Sequence, residues 1–110
     1  MREVKAGAAF LDVRVPGWVN RIDLDTLDLA RGNSCVLGQL EGTADGGTTA
    51  FERAVRRMFG GDFGDLEIAK TVAALGFNGL GHRDGYSTFC ARLTVAWKQL
   101  IRDRRRRARV

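Results

Sequence analysis

One pattern constrains this chain more than any other. Tyr86, Phe89, Cys90, Leu93, Trp97, Leu100 and Ile101 recur at intervals of three and four. That spacing gathers them on one side of an α-helix and predicts a helix from Tyr86 to about Arg107. So broad an apolar stripe needs other elements to cover it, so this helix is expected to be the spine of the core. The rest of the sequence reads as the covering.

Val4, Ala8, Leu11 and Val15 step by four, three and four, a second helical stripe. Pro16 ends it, because the residue before a proline is pushed out of the helical region. The "PGW" turn then lets Trp18 fold back as a core anchor. "RIDLDTLDLARGN" reads as an irregular connection: Ile22 and Leu24 alternate like a strand, Leu27 and Leu29 break phase, and aspartates are poor in strands. "NSCVLGQLEG" predicts a two-turn helix, with Asn33 or Ser34 capping its start and Gly42 closing it in a left-handed conformation. "TADGGT" is a loop. Thr49 and Glu52 have the spacing of a capping box before a helix whose Phe51, Val55, Met58 and Phe59 point inward and whose Arg53, Arg56 and Arg57 point outward. In "DLEIAKTVAALGF", Asp65 is the expected N-cap. Leu66, Ala69, Val72 and Leu75 form its stripe, Gly76 is the C-terminal cap, and Phe77 packs back on the last turn. "NGLGHRDG" is a glycine-rich loop. The expectation is an all-α fold: one compact domain of about four or five helices, with a long C-terminal helix and Gly-rich loops.

The net charge is +5, and it is unevenly placed. Residues 1–101 hold twelve basic and twelve acidic side chains, so this helical domain is formally neutral. The positive excess sits in 102–110, an Arg-rich extension of the last helix in which six arginines face only Asp103. Capping a helix C-terminus accounts for one or two such cations, not six. The excess suits solubility, an acidic protein partner or non-specific nucleic acid, and Arg102, Arg104, Arg105, Arg106, Arg107 and Arg109 are the candidate polyanion-binding residues, with weak and salt-sensitive attraction to phosphates. Since none of them belongs to the apolar stripe, removing 102–110 is expected to leave the fold intact.

Candidate chemistry thins out on inspection. "GHRDG" and "DFG" resemble kinase words but stand in the reverse order, without a phosphate loop or strand lysine. His82, the one histidine, has no identifiable nucleophile or orienting partner, and reads as a loop residue. Asp23, Asp25 and Asp28 miss the ligand register and central glycine of a calcium loop, which leaves turns and caps as their roles. Cys35, near a helix start, could be an activated thiolate, but it opens the apolar run "CVLGQL" and reads as structural. Cys35 and Cys90 are expected to be reduced and unpaired. No catalytic, metal or cofactor residue is assigned, and no apolar run is long enough to span a membrane. The N-terminus does not read as a signal peptide.

The words "PGW", "IDLDTLDL", "CVLGQL" and "GF", followed by a final helix with a tryptophan near its end, are similar to those of a family of small uncharacterised proteins. These proteins occur in actinobacteria and their bacteriophages, of the mycobacteriophage type. The likeness covers about half of the chain and is strongest over 10–42. It implies context only: a small cytoplasmic protein, in a host cytoplasm if phage-encoded, with no catalytic residues to transfer. Two function classes remain. The favoured one is a non-enzymatic accessory protein that binds a host protein or a second copy of itself. The alternative is a nucleic-acid-associated protein acting non-specifically through its arginines.

Overall fold

The computed structural model describes residues 1–42, 49–79 and 85–108. Among these residues five α-helices follow one another: α1 (Arg2–Arg14), α2 (Val36–Glu41), α3 (Ala50–Phe59), α4 (Leu66–Ala74) and α5 (Tyr86–Ala108). A 3-10 turn, Trp18–Arg21, lies between α1 and α2. There is no strand among the described residues. The all-α expectation holds, and α5 is its spine. The described helices include none long and apolar enough to cross a membrane.

The core forms where α5 meets α1, the 3-10 turn and the end of α4. Phe89, Cys90, Leu93, Trp97 and Ile101 of α5 are buried, as are Val4, Ala8 and Leu11 of α1. Trp97 sits at the centre. Its ring stacks on Phe77 at 5.6 Å and meets Trp18 edge-on at 5.7 Å, and its Nε1 donates to the Gly76 carbonyl at 2.7 Å. Gly7 makes room for it: a Cβ there would lie 2.9 Å from the indole and 2.0 Å from the Leu75 carbonyl oxygen. At the end of α4, Phe77 N–H reaches back to Val72 and Gly76 N–H to Ala73, with Gly76 at φ +74°. This is the double closure that only a left-handed residue permits, and it delivers Phe77 to the core.

Trp97 thus joins three elements far apart in sequence, while α2 and α3 pack on each other beside them. Arg57 pairs with Glu41 across that second contact, Asn33 accepts the Ala50 N–H, and the Gly32 carbonyl accepts the Phe51 N–H. The capping side chains at Thr49 and Asp65 are those expected.

Four details differ from the sequence reading. Cys35 itself caps α2, its Sγ accepting the Gly38 N–H at 3.3 Å, while Asn33 is used on α3. Gly42 has φ +98° but ψ −55°, outside the left-handed helical region. Leu66 is 66% exposed. A strict three-residue step slips by about 60° each time on a helix of 3.6 residues per turn, so Leu66 and Leu75 cannot share a face; Ile68, Ala69 and Val72 face inward instead. Tyr86, at the first turn of α5, is 41% exposed. "TADGGT" and most of "NGLGHRDG" lie outside the described residues.

Leu93→Ala should cost about 2–5 kcal/mol, the range for emptying a closed leucine site. Gly7→Ala, which adds one methyl, should still destabilise by about 1–3 kcal/mol through overpacking against backbone and indole. Denaturant unfolding measures both. A neutral Gly7→Ala would mean that α1 and α5 do not approach as closely as described.

Candidate protein-binding surface on α5

At 23 residues, α5 is about 34 Å long at 1.5 Å per residue. It therefore outruns the elements beneath it, and its solvent side is a continuous rigid surface. Thr88, Arg92, Val95, Gln99, Arg102 and Arg106 are exposed along that side, at the alternating steps of four and three that keep residues on one stripe. Val95 is 69% exposed in the middle of it. Val13 and Leu66 are also exposed, but isolated apolar residues are ordinary on protein surfaces. Val95 differs in lying with Met1, Ala91 and Ala96 in one shallow, predominantly apolar depression.

Beside this stripe, α1 and α5 enclose a groove of about 360 Å³. Met1, Val4 and Leu100 supply apolar surface, Lys5, Arg104 and Arg107 supply cations, and Asp103 supplies one carboxylate. On the opposite flank of α5, the 23–34 segment forms an open cleft with Asp25, Asp28 and Arg31 against Ala91 and Thr94. This segment is irregular but well held. Leu29 N–H donates to Thr94 Oγ1, and Gln39 bonds both the N–H and the carbonyl of Asp23. One long helix thus carries an acidic flank near its middle and a basic end.

The six candidate arginines are not equivalent. Arg105 turns inward and donates to the Val19 carbonyl at 3.1 and 2.7 Å and also to the Ile22 carbonyl, tying the end of the 3-10 turn to α5. Arg104 donates to Asp12 Oδ1 at 2.8 Å, and the same oxygen accepts Trp18 Nε1 at 2.9 Å. The Arg104 hydrogen bond leads, with that of Trp18 behind it, in holding the Asp12 carboxyl below its ordinary value against the opposing effect of burial. Arg106 pairs with Asp103 at 2.6 Å. Arg102 and Arg107 are exposed on the helix. Arg109 lies outside the described residues. Two of the six are therefore structural ties. The expectation that 102–110 could be removed without cost is revised, because Arg104 and Arg105 fasten α5 to the 12–22 stretch. The sequence carried no sign of this, since the acceptors are mostly backbone carbonyls.

The other candidates take structural roles. Asp23 and Asp28 each accept a backbone N–H two residues on, and Asp28 pairs with Arg31 at 3.5 Å. No cluster of three metal-ligating side chains occurs among the described residues. Cys35 and Cys90 are buried and unpaired, and burial pushes the Cys35 thiol up to about 11, the reverse of an activated thiolate. His82 lies outside the described residues. Val95 and Lys5 escaped the sequence reading, although Val95 carried a signal. It stands two residues from Trp97, about 200° away on the helix, an apolar side chain on the polar face. Comparison with family models, curated proteins and solved structures finds no match.

Arg105→Ala should destabilise the protein by about 1–3 kcal/mol, as two carbonyls lose a charged donor, while Arg102→Ala should change stability by less than about 0.5 kcal/mol. Equal effects in thermal or denaturant unfolding would refute the division of the tail into structural and surface arginines. Asp12→Asn keeps an acceptor for Trp18 and loses the charge, so at neutral pH it should cost under about 1 kcal/mol. A carboxyl whose folded pKa is depressed contributes stability above its unfolded pKa and loses it as pH falls through the folded value. The difference between Asp12→Asn and wild type should therefore close below the ordinary 3.8. For the thiols, native protein at pH 8 should resist alkylation at both cysteines, and mass measurement should show both modified once the chain is denatured. Rapid native labelling of Cys35 would restore the reactive-thiol reading.

Proposed function

We propose that this chain is a small, non-enzymatic accessory protein of phage type that works by binding protein in the cytoplasm. The observation that carries the reading is the α1–α5 groove, where apolar side chains lie between Lys5, Arg104 and Arg107. Such a groove suits an acidic amphipathic segment: apolar anchors fill the floor, and carboxylates meet the cationic rim and steer the encounter. The family likeness of "PGW", "IDLDTLDL" and "CVLGQL" supports the phage context. Two buried free thiols accord with a reducing compartment. The partner is a host protein or a second copy of the chain.

A second reading, non-specific association with nucleic acid, is favoured by the exposure of Arg102 and Arg107 near one end of α5. It is weakened by the engagement of Arg104 and Arg105 within the fold. With fewer arginines to neutralise phosphates, the expected salt dependence is shallower than six would give.

Immobilised protein exposed to bacterial lysate, with and without nuclease, separates the two. The protein-binding reading expects a retained protein that survives nuclease and is lost with the double variant Lys5→Glu/Arg107→Glu. Retention of nucleic acid alone, abolished by nuclease and by high salt, would transfer the function to the arginines.

A further inference from the structure

We propose that the exposed face of α5 pairs with the same face of a second copy, antiparallel about a two-fold axis at Val95. The proposal rests on the protein-binding reading and names one partner for it. Three observations lead there. Val95 is 69% exposed within a predominantly apolar depression that it shares with Met1, Ala91 and Ala96 and that Arg92 and Gln99 edge. Asp25 and Asp28 line the cleft beside Ala91 and Thr94, on the N-terminal side of Val95, together with Arg31, which pairs with Asp28 and leaves the cleft one negative charge in excess. Lys98 and Arg102 stand on the C-terminal side, and on a helical projection Ala91, Lys98 and Arg102 fall within about 40° of one another. The acidic cleft and these two cations therefore share one flank of the helix, at opposite ends of its middle.

A two-fold axis perpendicular to paired helices keeps that flank on the same side in both copies and reverses the helix direction. Val95 then faces Val95, and Ala91 faces Gln99. Each copy's Asp25 and Asp28 come level with the other's Lys98, within reach of its Arg102. The contact is made twice. A parallel arrangement would instead set acid against acid and base against base, which is unfavourable. A single helix face buries less than the roughly 1,200 Å² at which stable interfaces begin. The expected dimer is thus weak and salt-sensitive, dissociating on the order of tens of micromolar.

Sedimentation of the full chain over a concentration series, at low and high salt, tests the pairing. The mass should rise from one copy to two at low salt and fall back as salt screens the charge contacts. Val95→Glu should remain monomeric with unchanged helicity and melting temperature, since this side chain lies outside the core. Arg102→Glu and Asp25→Arg should each weaken the dimer about tenfold, and the two together should restore it to within about threefold of wild type. A wild-type chain that stays monomeric at every concentration overturns the proposal. So does a dimer indifferent to Val95→Glu, or a charge exchange that fails to recover. In the first case a lysate protein still lost with Lys5→Glu/Arg107→Glu would leave the protein-binding reading standing, so the two failures can be told apart.

Discussion

The seating of Trp97 is the constraint on which the other contacts depend. Its ring is fully buried between Phe77, Trp18 and the bare backbone at Gly7, and its one polar atom has a partner in the Gly76 carbonyl. Large indoles are rarely so enclosed, because the N–H must be satisfied when water is excluded. Here a helix end supplies the acceptor. The carbonyl comes from the glycine that terminates α4, so the chain reversal after that helix and the anchoring of α5 are one event. The same glycine's left-handed backbone swings Phe77 onto the face of the ring. Withdraw the indole, and α1, the 3-10 turn and α4 lose their common neighbour together.

Beyond the aromatic cluster, α5 is held by charge. Ile101 is the last buried apolar residue of the helix, and the two turns after it have no core to enter. They are fixed because Arg104 and Arg105 reach sideways, one to Asp12 on α1 and the other to the carbonyls that close the 3-10 turn. A guanidinium suits this place. Its planar fork meets two carbonyls at once. The run of arginines therefore performs two tasks through helical phase alone: side chains on the inner arc brace the fold, and those on the outer arc meet solvent.

That division explains what was legible in the sequence. Helices announced by periodicity and caps were readable, because both signals are local: the stripes of α1, α3 and α5, the cap at Asp65 and the Thr49 cap each follow from residues within a turn or two. The cap of α2 was not, since choosing among Asn33, Ser34 and Cys35 depends on what Asn33 does across the fold at Ala50. Leu66 is exposed because a strict step of three drifts about 60° around the helix each time, so it leaves the face that Ala69 and Val72 share. The arginine roles were least readable of all. Backbone carbonyls accept at Val19 and Ile22, and every residue carries one, so no residue type marks them in advance. The candidate surface was half legible. The cations were plain, whereas the groove needs α1 to run beside α5, a relation that the close approach at Gly7 decides.

The irregular 22–35 segment shows how a stretch without periodicity can still be specified. Ile22, Leu27, Leu29 and Cys35 are buried at spacings that fit neither helix nor strand, so the backbone adds side-chain partners to the few turn hydrogen bonds it makes between Asp28 and Cys35. Asp23, Asp28, Gln39 and Thr94 supply them. The aspartates that look like a broken calcium loop are thus the means by which an aperiodic segment satisfies its own amides. Held in this way along α5, the segment sets Asp25 and Asp28 beside Ala91 and Thr94. The neutrality of residues 1–101 conceals that placement: equal numbers of acids and bases, sorted by the fold to different levels of one helix, give it a directed charge pattern that composition alone cannot report.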